Sequence, residues 1–76
     1  MYLNKGILEK YMKDNYDGSY RKFARDLQVE PAQLHRILNS EAQAGVVFLG
    51  RLHNFCKSKN IDYNQFIFFE ESVNNS

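Results

Sequence analysis

Tryptophan is absent from this chain, proline occurs once (Pro31), cysteine once (Cys56), and the four glycines stand singly. A lone cysteine excludes an internal disulfide, and isolated glycines exclude a glycine-rich phosphate loop. No apolar run approaches the roughly 20 residues that a membrane-spanning helix requires. Residues 1–13 alternate polar and apolar side chains instead of building the continuous apolar stretch of a signal peptide. A cytoplasmic protein with no membrane partner is therefore expected. Charge is also scarce in sum: the net value is +1 and the pI near 7.9, little for a nucleic-acid binder if the total alone counted. Its distribution is uneven. Residues 1–61 carry a net +4 and residues 62–76 a net −3, so the net negative charge is confined to the end of the chain and the rest is basic in sum.

Catalytic and metal chemistry find little footing. His53 and Cys56 stand at i, i+3 of one helical stretch and could reach a common ion, but a structural zinc requires four ligands and His35 belongs to another segment. Nothing supplies the orienting third group or the oxyanion site that a Cys/His nucleophilic pair requires. No enzyme activity, catalytic residue, metal, cofactor or small-molecule substrate is expected, and Cys56 reads as a small buried hydrophobe.

What the chain does contain is ordinary globular material. Hydrophobic residues make up 43% and charged residues 25%, with 14% aromatic, all Tyr and Phe, as bulky core side chains. Seventy-six residues suffice for one domain near the lower end of what folds alone, burying about 60–65% of its unfolded surface. The expected domain spans residues 1–70, with residues 71–76 a solvated acidic and polar tail.

Residues 20–39, YRKFARDLQVEPAQLHRILN, organise the rest. Tyr20, Phe23, Ala24 and Leu27 recur at i, i+3, i+4 and i+7 and share one helical face, with Arg21, Lys22, Arg25 and Asp26 facing away. Pro31 pushes Glu30 out of the α region and itself suits a first helical turn, so a second helix begins at 31 and buries Leu34, Ile37 and Leu38. Between them Gln28, Val29 and Glu30 alone reverse the chain, which implies a steep crossing with Val29 as an apolar plug. This segment resembles the helix-turn-helix of the Cro and phage-repressor family, to which the Xre-type bacterial regulators also belong. The resemblance rests on small Ala24, apolar Val29, Leu34 and Ile37, and on Asn39. The chain departs from the family at Gln28, where glycine is usual and positive φ costs a non-glycine residue on the order of 1 kcal/mol. It departs again at Glu30, where Ser or Thr is usual.

Around this segment, Leu3, Ile7, Leu8 and Tyr11 form the stripe of a first helix over residues 3–14, with Lys5, Glu9, Lys10 and Lys13 on its wet side. Residues 15–18 form a turn and Ser19 caps the next helix. Residues 40–45 are small and polar, a loop. Phe48, Leu49, Leu52, Phe55 and Cys56 predict a helix over 46–59, capped by Asn60. Asp62 to Gln65 has capping-box spacing and opens a short fifth helix through about Phe69, burying Tyr63, Phe66 and Ile67 but leaving Phe68 and Phe69 over. The expected fold is all-α, a compact five-helix, lambda-repressor-like domain, and the resemblance covers about residues 3–70.

The resemblance implies a sequence-specific regulator of transcription, bacterial or phage, that binds double-stranded DNA as a homodimer and reads the major groove with helix 31–39. Ala32, Gln33, His35 and Arg36 face outward because Leu34, Ile37 and Leu38 are spent on the core, and they are the expected base contacts. Ser19, Tyr20, Arg21, Lys22 and Asn39 are the expected phosphate contacts, since the second helix begins where such proteins abut the DNA backbone. Phe68 and Phe69 are the expected dimer contacts. A rival of another class is a helix-turn-helix protein that binds a regulatory protein instead of DNA, as an antirepressor or modulator does. The low net charge, Gln28 and Glu30 favour it.

Overall fold

The computed structural model describes residues 2–68. Phe69 and the expected tail, residues 71–76, lie outside them.

Helix boundaries follow from capping chemistry. The Asn4 side chain accepts from the Ile7 N–H at 3.2 Å and opens α1 (Lys5–Tyr16), which the chain leaves through Asp17 and Gly18 at φ 54° and 74°. Ser19 then accepts from the Lys22 N–H at 3.2 Å and starts α2 (Tyr20–Leu27). The first helix thus begins and ends two residues later than its expected range, and it takes Asn15 and Tyr16 out of the expected turn. Its deep residues are Leu8 and Met12, whereas Ile7 stays 39% exposed. Leu3 explains the rotation: it is buried in a strand ahead of the helix, so the inward stripe starts at Leu8.

Gln28 ends α2 at φ 64°, with its N–H bonded to the Ala24 and Arg25 carbonyls. It adopts the left-handed conformation despite its Cβ. The Val29 N–H returns to the Ala24 carbonyl at 3.0 Å, and Val29 itself is half-buried against the core. Pro31 opens α3 (Pro31–Asn39), with Glu30 at the N-cap making no side-chain cap bond. Ala24 is 0% exposed, and α3 is the element on which α2 packs most extensively. Residues 40–45 lead to α4 (Val46–Lys59), which buries Phe48, Leu52, Phe55 and Cys56 and ends at Asn60 with φ 60°.

The fifth helix is corrected. Tyr63–Phe66 forms one 3₁₀ turn, and Ile67–Phe68 is strand β2, paired antiparallel with β1 (Tyr2–Leu3) so that Tyr2 faces Phe68 and Leu3 faces Ile67. The Asp62 carboxylate accepts from the Asn64 N–H at 3.0 Å, closing a tight local turn in place of the expected capping box. Backbone partners for this segment come from the start of the chain: the Asn4 N–H donates to the Phe66 carbonyl at 2.7 Å. Ile67 and Phe68 are residue types that suit a pleated, half-buried surface. Among the described residues the fold is therefore mostly helical, four α-helices closed by a two-stranded ribbon. Tyr11 is the hub of its core, with ring centroids 5.8, 6.0 and 5.6 Å from those of Phe23, Phe55 and Phe66, joining α1, α2, α4 and the 3₁₀ turn. No helix among the described residues is long and apolar enough to cross a membrane.

Candidate nucleic-acid interface

Helix α3 spends Leu34 and Ile37 on the core and half-buries Leu38. Ala32, His35 and Arg36 are exposed and Gln33 is half-buried, so the expected base contacts lie on the outer side, with Arg36 one turn after Gln33. At the start of α2, Arg21 and Lys22 are exposed while Ser19 and Tyr20 are half-buried. The Ser19 hydroxyl oxygen is taken by the Lys22 N–H, which leaves its proton free to donate. The first amides of a helix have no acceptor inside it, so this end also presents backbone donors.

Charge around the site is cationic and largely uncommitted. Arg21, Lys22 and Arg36 have no ion-pair partner among the described residues, whereas Arg25 lies 3.9 Å from Asp26 and Lys10 lies 2.9 Å from Asp14. Asp26 is further occupied by the Tyr16 hydroxyl, which donates to it at 2.7 Å. Burial first and that bond second hold the Tyr16 phenol well above its ordinary value.

Three of the expected site residues meet across the two helices. The rings of Tyr20 and His35 lie 4.8 Å apart at 51°. The Asn39 amide nitrogen donates to the Tyr20 hydroxyl at 2.8 Å and to the His35 carbonyl at 2.9 Å. No such convergence joins Ala32, Gln33 and Arg36, which share a face without a bond between their side chains among the described residues.

Two contacts have no counterpart in the sequence pattern. Lys5, expected on the wet side of the first helix, donates from its ammonium to the Ser40 and Ala42 carbonyls at 2.7 Å each and ties the loop after α3 to the start of α1. Arg51 on α4 donates to the Gln28 side chain at 3.3 Å. Neither has a local signal, because the Lys5 partners lie 35 and 37 residues away and the Arg51 partner 23.

Elsewhere, Phe68 is 56% exposed and Tyr2, opposite it on the ribbon, 44%. Val46 and Val47 at the start of α4 are 88% and 69% exposed. His53 stacks edge-on to Tyr63 with centroids 4.9 Å apart. Burial pushes the Cys56 thiol up to about 11, which makes it a poor nucleophile. Among the described residues no three His, Cys, Asp or Glu side chains are grouped to hold a metal ion. The chain matches no family model, no curated protein and no solved structure.

Proposed function

We propose that the chain is a helix-turn-helix domain of the Cro/repressor kind that binds double-stranded DNA through α3 and so regulates transcription. One observation carries the reading. Helices α2 and α3 pack on each other with Ala24, Leu34 and Ile37 buried, and this pairing leaves Gln33, His35 and Arg36 outward, with Arg21 and Lys22 lacking ion-pair partners among the described residues. A helix with its outer row free and a basic helix start beside it has the arrangement needed to enter a major groove while phosphates are held at its flank. In that role Arg36 pairs bidentately with a guanine, Gln33 meets an adenine, and Ala32 offers a methyl contact to thymine. His35 lies beside them. Ser19, Tyr20, Arg21 and Lys22 hold the backbone.

A second reading, capture of a regulatory protein, is favoured by two features. Val46 and Val47 are strongly exposed at the start of α4, and Glu30 stands exposed at the tip of α3 without a capping bond.

Selection of sites from random duplex, followed by salt titration, separates the two. A reader selects a site, and its affinity falls steeply with added salt. Arg36→Ala then loses about 1–3 kcal/mol at that site, mostly as discrimination at one base pair, while Lys22→Ala weakens all sequences alike and flattens the salt slope by roughly one unit. Selection of no site, with no salt-dependent affinity for any duplex, leaves the protein-binding reading in its place.

A further inference from the structure

The contacts among Tyr20, His35 and Asn39 decide which kind of hydrogen bond each has left to offer. Asn39 has two amide hydrogens. One goes to the Tyr20 hydroxyl at 2.8 Å and the other to the His35 main-chain carbonyl at 2.9 Å. A carbonyl can only accept, so the NH₂ side of the amide must face it, and the usual ambiguity between amide oxygen and nitrogen does not arise here. With both hydrogens committed, the remaining polar atom of Asn39 is Oδ1, an acceptor. Phosphate oxygens are acceptors too. Asn39 in this arrangement has nothing to donate to a nucleic-acid backbone.

Tyr20 is its complement. A phenol has one proton and two lone pairs, and a lone pair is taken by Asn39. Its proton must therefore turn away from the amide, and no acceptor for it occurs among the described residues. The ring is half-buried and restrained by the His35 ring at 4.8 Å, so the hydroxyl is held in place. It stands at the first position of α2, next to Arg21 and Lys22, which lack ion-pair partners among the described residues.

We infer that Asn39 is a positioning residue: it holds the Tyr20 hydroxyl with its proton outward, as a donor to a phosphodiester oxygen, and meets no phosphate itself. This rests on the duplex-binding reading and refines it. Of Tyr20 and Asn39, which meet at this junction, Tyr20 makes the backbone contact and Asn39 orients it.

A double-mutant cycle tests the division of roles. Tyr20→Phe keeps the ring and its contact with His35 but removes the hydroxyl. It lowers duplex affinity about tenfold, the order expected for a hydrogen bond to a charged group. The slope of affinity against salt stays unchanged, because a neutral hydroxyl releases no counterion. Asn39→Ala alone lowers affinity by less, since the hydroxyl persists but is no longer oriented. In the Tyr20→Phe background it lowers affinity no further. Asn39→Asp is the sharper variant: a carboxylate accepts from the phenol, turns the proton inward, and costs at least as much as Tyr20→Phe.

Thermal midpoints of all variants are measured beside the affinities. In the free protein the Asn39 side-chain amide resonances shift on Tyr20→Phe. Losses from Tyr20→Phe and Asn39→Ala that multiply in the double variant show that Asn39 meets DNA by itself and overturn the inference while the duplex reading stands. A Tyr20→Phe protein that binds like the parent overturns it as well. A parent with no salt-dependent duplex affinity removes both readings.

Discussion

At the scale of the residue, small differences in volume and backbone freedom decide whether two short helices can lie together. Ala24 is 0% exposed in the helix that packs most extensively on α3. A larger side chain there has no free volume to enter, so Ala24→Leu overpacks and costs about 1–3 kcal/mol, read as a lower midpoint in urea. An unchanged midpoint would show that the two helices leave room between them at this point. Gln28 shows the backbone side of the same constraint. The residue sits at φ 64°, stabilised by two backbone bonds and by Arg51 reaching its side chain. The turn keeps its conformation because the surrounding contacts outweigh a strain on the order of 1 kcal/mol.

At the scale of the element, α2, α3 and α4 occupy the ranges that capping and periodicity indicate, while the loop after α3 is held by something neither reveals. Within the loop, the Ser40 hydroxyl donates to the Arg36 carbonyl at 2.6 Å and accepts from the Ala42 N–H at 3.1 Å. Across the fold, Lys5 donates to two of its carbonyls. Lys5→Met keeps the apolar stem and removes the ammonium, so it isolates the clamp. The freed carbonyls can turn to water, which limits the loss in stability to about 1 kcal/mol. Amide exchange over residues 40–45 should quicken well beyond that of α4. Equal exchange rates in Lys5→Met and the parent would mean that the internal bonds of Ser40 suffice to hold the loop.

At the scale of the whole molecule, the ribbon replaces the expected fifth helix and changes where a second copy would dock. Helical spacing places Phe68 on a terminal helix; it lies instead on β2 opposite Tyr2, and both are exposed. Under the duplex-binding proposal one α3 spans too few base pairs to specify a site, and two-fold dimers solve this by placing two reading helices about 34 Å apart, one turn of DNA. A homodimer through the ribbon face is proposed on these grounds. Sedimentation equilibrium should find dimers in the parent, and Phe68→Ser should weaken association about tenfold or more, as loss of an aromatic anchor does. A parent that sediments as a monomer at high concentration rules the dimer out.

The sequence by itself determined what rests on neighbours a few residues apart. Ser19 and Asn60 mark helix ends through bonds made within four residues, Pro31 marks one through its fixed φ, and the stripes of α2, α3 and α4 repeat at the helical period. The outward row of α3 follows from the same period, so the candidate site was readable as a set of residues. Tertiary structure alone decided what rests on distant partners. Leu3 left the first helical stripe because Ile67 pairs with it from the other end of the chain, and Met12, in line with Leu8 one turn on, is buried while Ile7, which the stripe had placed inward, is exposed. Asn39 found the Tyr20 hydroxyl across two helices. A periodic pattern reports which face of an element is apolar. It carries no information on which atom of another element completes a hydrogen bond, because that depends on distances set when the elements pack.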